Sequence, residues 1–453
     1  MRVGNAALSA LSVVALSAAG CSNEAETRPQ LVVEIDTTAP VVGQLLAQPE
    51  LPLTGAIDTL RIDVLDGAPH ETQLLVAPDA TNWPVSFGIA SEGITTPVLL
   101  RIRAFQSRLA EPDAFAEGSE PLPDASIDRI VELRPPRSGL ETVRVTLDMG
   151  CFGVRPNLLE RTTCIDWDQR TVAFDQGIEK VGGRTPSRVG TSPIVRPVEC
   201  QLPGPTDAVC IKGGFSLMGD PIGVGLSAEV FVDPFPRRPV VVSPFWMDRN
   251  EVTVARYRTL VDGGLVAAPQ GGDFCTWNAG DEALPVNCVT EEQARAACAA
   301  WGGSLPSEAQ WEHAARGRGQ GYRFVWGDAP FDCCASAVAR ITTLCPGTGT
   351  APIGSHTDAS QCNGRADVTA DGVIDLNGNV SEFTTDRNRP YEHPCWGPLG
   401  VSLNPSCDDS TAQVVTRGGN WGSGLLAALL TTRGWRISNR AIGFRCVYPG
   451  AAP

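Results

Sequence analysis

The chain has 453 residues, 42% of them apolar, and carries 36 Lys and Arg against 51 Asp and Glu, a net charge of −15. That apolar share supports folded cores and excludes a wholly disordered chain, and the length points to two domains. The acidic balance argues against nucleic acid as a partner, because phosphate backbones are bound by basic faces; a solvated acidic surface is the plain reading.

In chain order, residues 1–21 read as a lipoprotein signal peptide. Arg2 precedes an apolar or small run from Ala6 to Gly20, which is too short to span a bilayer. The run ends in "LSAAGC", where small residues leave room at a scissile bond, so Cys21 is the expected site of lipid attachment. The alternative is plain secretion after a small-residue cleavage site. Residues 22–30 follow as a polar tether. The expectation is a cell-envelope protein, outside the cytoplasm, held to the membrane by its lipid.

Setting Cys21 aside leaves 14 of the 15 cysteines. An even number in an exported chain points to disulfides, up to seven of them. Short separations at Cys151/Cys164, Cys200/Cys210, Cys275/Cys288 and Cys395/Cys407 suggest loops closed locally. A zinc site is disfavoured: no C-x2-C pair is present and the four histidines are scattered.

Residues 31–147 alternate with period two. "TLRIDVLDG" sets Leu60, Ile62 and Val64 on one face and Arg61 and Asp63 on the other. "WPVSFGIA", "VLLRIRAF" and "ETVRVTLD" repeat the pattern, separated by turn signals such as Asp66-Gly67. Half-buried strands with polar outer positions imply an all-β, antiparallel, Ig-like sandwich. Residues 148–210 read as a disulfide-containing linker rich in Gly, Pro and Ser.

Beyond Cys210 the texture changes, and 8 of the 10 tryptophans lie there. Three short helices are expected. Thr253 opens the first and Gly263 and Gly264 close it. Thr290 with Gln293 opens the second, and Gly302 ends it. Ser307 with Gln310 opens the third, and Gly317 stops it.

Seven phrases in this half carry a family resemblance: "GGFSLMGD" (213–220), "PFWMDRNEVTVARY" (244–257), "GGSLPSEAQWEHAARG" (302–317), "FVWGD" (324–328), "DLNGNVSEFTTD" (375–386), "RGGNW" (417–421) and "GFRC" (443–446). In this order they resemble the formylglycine-generating enzymes, or sulfatase-modifying factors, over about 210–449. The resemblance implies an α+β domain at 211–449 with a C-type-lectin-like core, little regular structure and bound calcium. Fold alone does not carry activity, so the positions matter one by one.

The likeness of "NGNVSE" to the family's calcium loop implies Asn377, the carbonyls of Gly378 and Val380, and Glu382 as ligands, a hard-oxygen set suited to Ca²⁺. The plain reading of Asn-Gly here is a polar turn. Asp367, Asp371 and Asp375 nearby read as a solvated turn between two strands, with Asp371-Gly372 at the bend. By the same resemblance, Cys298 and Cys446 form a structural disulfide. His313 reads as a packing or surface residue, since no second histidine lies one turn away. Trp301, Trp311, Trp421 and Trp435 read as core.

The resemblance decides most at "TRGGNWGSGLLAALL". The family's oxidases have two cysteines after this RGGS-like phrase, five residues apart, whose thiolates hold Cu(I). Soft sulfur suits the cuprous ion. Here Ser423 and Ala428 occupy those positions, so copper is not expected. "WGSGL" is not a full nucleophile elbow, so Ser423 is not a hydrolytic candidate. No catalytic residue is assigned. The leading expectation is a lipid-anchored module binding a protein, peptide or glycan; the alternative is an oxidoreductase of the same family with atypical ligands.

Overall fold

The computed structural model describes residues 28–65, 69–109, 121–183, 185–220, 231–232, 236–336, 345, 347–434 and 439–451. Cys21, the Asp66-Gly67 turn and Trp435 lie outside the described residues. Among those described, residues up to Ala47 together with Ala56–Ser192 form one compact unit, and Gln48–Gly55 with Pro193 onward form a second. No helix among them is long and apolar enough to cross a membrane.

The first unit contains two four-stranded sheets. Its strands are β1 (Gln30–Thr37), β2 (Thr59–Leu65), β3 (Pro69–Val76), β4 (Val85–Ala90), β5 (Val98–Phe105), β6 (Ser126–Leu133) and β7 (Leu140–Leu147). One sheet runs β3-β2-β5-β6; the other runs β4-β1-β7 and ends on Ile178–Lys180. Leu60, Ile62, Leu100 and Ile102 are buried on the first sheet, as are Val33, Ile35, Val143 and Val145 on the second.

Three details differ from the sequence reading. β1 and β7 pair parallel, so the sandwich is not wholly antiparallel. Arg61 and Asp63, read as outward and solvated, are 2% and 0% exposed. Alternation cannot separate a solvated polar face from a covered one that neutralises its own charges. Here Asp63 accepts from Arg61 (3.1 Å) and pairs with Arg103, while Arg101 forks onto Asp128 (2.6–3.2 Å). Burial works against the Asp63 charge, yet the Thr72 hydroxyl and the Arg103 guanidinium hold its carboxyl below the usual range. Third, the 148–210 stretch is absorbed into the folded units: Ile178–Lys180 extends the sheet beyond β7, and Ser187 and Arg188 cap Asp36 of β1.

The second unit has little regular structure. Its helices are α1 (Val254–Asp262), α2 (Glu291–Ala300) and α3 (Glu308–Ala315). Thr253 caps α1, and Thr290/Gln293 and Ser307/Gln310 form reciprocal capping boxes on α2 and α3. Short three-stranded sheets surround them. One aligns Ala208–Ile211, Phe245–Asp248 and Val447–Pro449; another aligns Gly214–Met218, Arg238–Val242 and Ser402–Leu403. The fully buried Trp311 of α3 anchors one core, and Tyr257 of α1 with Phe444 anchors the neighbouring one.

Candidate functional site

The stretch from Arg417 to Leu430 is assembled from its backbone outward. Val414–Arg417 is a strand in the middle of a sheet, and two glycines turn the chain away from it. Gly418 has φ +95°, and a Cβ there would sit 3.0 Å from the Leu376 carbonyl and 3.1 Å from the Trp311 ring. Gly419 has φ +70°, and a Cβ would meet the Ala427 carbonyl at 2.7 Å. Only glycine accepts both the left-handed backbone and the close approach.

Arg417 is fully buried. Its guanidinium pairs with Glu312, reaches Glu308 (3.4 Å), and donates to the carbonyls of Leu430 (3.0 Å) and Thr431 (3.2 Å). Asn420 donates to Ser381 Oγ (3.0 Å), which in turn donates to the Gly419 carbonyl (2.8 Å). The Trp421 N–H donates to the Asn379 carbonyl (3.0 Å). Ser381 thus stands behind the loop as a hydrogen-bonding post.

Ser423 is half-buried, and its N–H donates to the Asn420 carbonyl (2.9 Å). Ala428 is buried and packs with Phe324 and Leu429. Neither side chain is a soft donor. All 14 cysteines of the described residues are in disulfides: 151–164, 200–210, 275–288, 298–446, 333–345, 334–362 and 395–407. The one cluster among them with metal-ligand spacing is His393, Cys395 and Cys407, and its two sulfurs are bonded to each other. A disulfide is not a thiolate ligand. Two cavities among the described residues, one beside His313 and Arg316 and one beside Gly213 and Arg318, hold about 10 Å³ each, room for one water.

In the loop matched to calcium, two of the four expected ligands already have protein partners. Asn377 Oδ1 accepts the Val325 N–H (2.7 Å), its amide donates to the Ala428 carbonyl, and its own carbonyl accepts from Ser336. Glu382 takes both its oxygens to Arg445 (2.7 and 2.8 Å) and accepts Trp311 Nε1 (2.8 Å). Its charge is neutralised and its lone pairs are engaged. Gly378 has φ +157°, and the Val380 N–H donates to Glu251 (3.1 Å).

Sequence reasoning passed over the acids that do crowd together. Asp367 and Asp375 are 1% and 2% exposed, not solvated, and Glu251 is 2% exposed. Val368 and Ile374 bridge across the expected bend, but the turn packs inward and Asp371 pairs with Arg318 (2.9 Å). Burial and then the neighbouring Asp375 push the Glu251 and Asp367 carboxyls well above the usual range; burial pushes Asp375 up to about 6. Arg445 is the cation that offsets all three. No periodicity marks Glu251 as their neighbour, because it lies 116 positions before Asp367 in "RNEVT".

His313 is buried and satisfied, against Ser216 Oγ through Nδ1 and the Lys212 carbonyl (2.9 Å) through Nε2. Burial lowers its pKa to about 4, so the ring is neutral. Trp311 and Trp421 are core residues; Trp301 is half-buried under Arg256, at 4.1 Å.

The model of the Sulfatase-modifying factor enzyme 1-like domain matches residues 197–449. The chain belongs to the sulfatase-modifying factor family. A search of curated proteins gives no match. Among solved structures, the chain is similar to Treponema denticola variable protein 1, with 16% identity, 53% of this chain and 94% of that one covered, and a TM-score of 0.36. It is similar to CarF at 20% identity, 54% and 98% coverage and a TM-score of 0.35. The Major Tropism Determinant P3c variant follows at 18%, 52%, 56% and 0.24. The family match assigns the fold of residues 197–449.

Proposed function

We propose that the chain is a cell-envelope lipoprotein, anchored through Cys21, whose sulfatase-modifying factor domain binds a protein, peptide or glycan and does not oxidise cysteine. One observation carries the reading: every described cysteine is in a disulfide, while the two positions that the resemblance aligns with the ligands hold Ser423 and Ala428. Copper chemistry of the family's kind needs a pair of thiolates. Seven disulfides also support a compartment outside the cytoplasm.

Small cavities favour a ligand recognised at the surface over one enclosed. Calcium enters this reading at the loop of Asn377, Gly378, Val380 and Glu382, whose backbone and side chains also meet the buried acids Glu251 and Asp367, with Asp375 close by. Like charges buried together favour a bound cation or protons.

The test is co-expression with a sulfatase-derived cysteine peptide and mass spectrometry of that peptide. Unconverted cysteine is the expected result. Formylglycine that depends on this chain, or stoichiometric copper or iron in the purified protein, overturns the reading and favours an oxidoreductase with atypical ligands. Membrane fractionation checks the anchor: Cys21→Ala releases the chain to the soluble fraction.

A further inference from the structure

Among the described residues, Phe274 is the one exposed aromatic side chain, with 49% of its surface open. Its φ is +65°, a left-handed backbone that bulky residues rarely adopt. Such a conformation persists only where its surroundings hold it, and those surroundings are built. Cys275, the next residue, is bonded to Cys288. Between the ends of that bridge, the fully buried Asn287 donates to the carbonyls of Phe274 (2.8 Å) and Arg440 (2.6 Å) and accepts the Thr276 N–H (2.8 Å). The Cys288 N–H donates to the Asn439 carbonyl (2.9 Å), which fixes the same segment again.

Trp421 completes the arrangement. Its indole lies 4.9 Å from the Phe274 ring at 31°, and its Nε1 donates to the Arg440 carbonyl (3.4 Å). The Arg440 guanidinium sits over the Phe274 ring at 5.5 Å. Arg440 is exposed, and no carboxylate or carbonyl among the described residues takes its N–H groups. A ring, an indole and a cation are thus held in place where Trp421 leaves the Arg417–Leu430 stretch, with the guanidinium's donors left to solvent.

We infer that Arg440, held over the Phe274 ring that Trp421 supports, is a recognition site for a carboxylate beside an apolar side chain on a peptide segment of a partner protein. A guanidinium fixed against a ring presents its planar fork ready for both oxygens of a carboxylate, and little rotamer freedom is lost on binding. The Phe274 rim receives the apolar neighbour. A glycan would dock a sugar's apolar face on an open ring, but indole and guanidinium both already lie against this one. The chain's net charge of −15 also disfavours polyanions, leaving a local carboxylate as the complementary group.

This inference rests on the proposed binding role, and its failure is distinguishable: the oxidation assay reads the peptide's cysteine, whereas the present test reads affinity. The full chain is titrated, by fluorescence anisotropy, with a labelled heptapeptide carrying Asp beside Phe, with its Asn counterpart, and with a labelled galacturonic acid oligosaccharide. The Asp peptide is expected to bind about tenfold more tightly than the Asn peptide, the scale of one charge-assisted fork. Arg440→Gln abolishes that difference, and Arg440→Lys restores part of it. Phe274→Gly, which takes the left-handed backbone freely, weakens binding several-fold with unchanged thermal unfolding. Equal affinity for the two peptides, no peptide binding at millimolar concentration, an unchanged Arg440→Gln variant, or binding of the oligosaccharide alone would overturn the inference.

Discussion

The two units solve the same problem with different means. In the first, seven strands and an added edge pair the backbone, and the buried charges of Arg61, Asp63, Arg101, Arg103 and Asp128 pair with one another across strands. In the second, long stretches have no strand to pair with, so arginine side chains take over the carbonyls. Arg238 donates to the carbonyls of Tyr391, Trp396 and Pro398; Arg445 donates to those of Asp248, Ile374 and Asp375. Buried backbone acceptors have to be met by something. Where regular structure is scarce, a guanidinium with five donors meets several at once. The disulfides follow the same division: one in the first unit, 151–164, and six in the second.

The sharpest way to break this contrast is Arg445→Met. It leaves Glu382 charged, buried and unpaired along with a set of carbonyls, and the expected loss is about 3–5 kcal/mol. Denaturation read by tryptophan fluorescence reports it, since most tryptophans lie beyond Cys210. Next comes the pair Cys298→Ser with Cys446→Ser, which opens a bridge of sequence separation 148. Chain entropy assigns it about 4–5 kcal/mol, against about 3 kcal/mol for opening Cys151–Cys164, so urea midpoints should rank the two in that order.

In the first unit, Asp63→Ala strips Arg61 and Arg103 of a shared partner. A loss of about 3 kcal/mol is expected by urea denaturation; a neutral outcome would mean that its polar face needs no pairing. A smaller effect comes from acid. Burial, and then Glu308, push Asp386 from 3.8 to about 6 in the folded chain. The folded state therefore holds this proton more tightly than the unfolded one. Its contribution is most favourable below pH 4, declines as pH rises to 6, and is flat above. Asp386→Asn should flatten that part of the stability profile. The smallest effect is calcium: at pH 7.5 it should raise the melting temperature by a few degrees, reversibly with chelator, and Asp375→Asn should abolish the rise. An Asp375→Asn response equal to the parent's would remove that acid from the site.

Much of the second unit was legible in advance because its signals are local. Thr253, Thr290/Gln293 and Ser307/Gln310 announce helices through side chains that reach only three residues. Cys275/Cys288 and Cys395/Cys407 are near enough in sequence for their loops to be read directly. The acids defeated the same reading. Asp367 and Asp375 look like the flanks of an ordinary polar turn, and only packing shows them sealed beside Glu251 and Arg445. Phe274 carried no signal at all: its exposure, its left-handed backbone and its contact with Trp421 join segments more than a hundred residues apart.

From its order of residues alone, this chain settles four strands of its first unit, the three helices and the family of its second, and the lack of sulfur at positions 423 and 428. Those properties follow from short-range patterns and residue identity. Which charges are buried, which oxygens are already engaged and which cation faces solvent were decided by tertiary structure. Such properties depend on what distant segments place alongside a group, and solvation energy is set by those neighbours and not by the group itself.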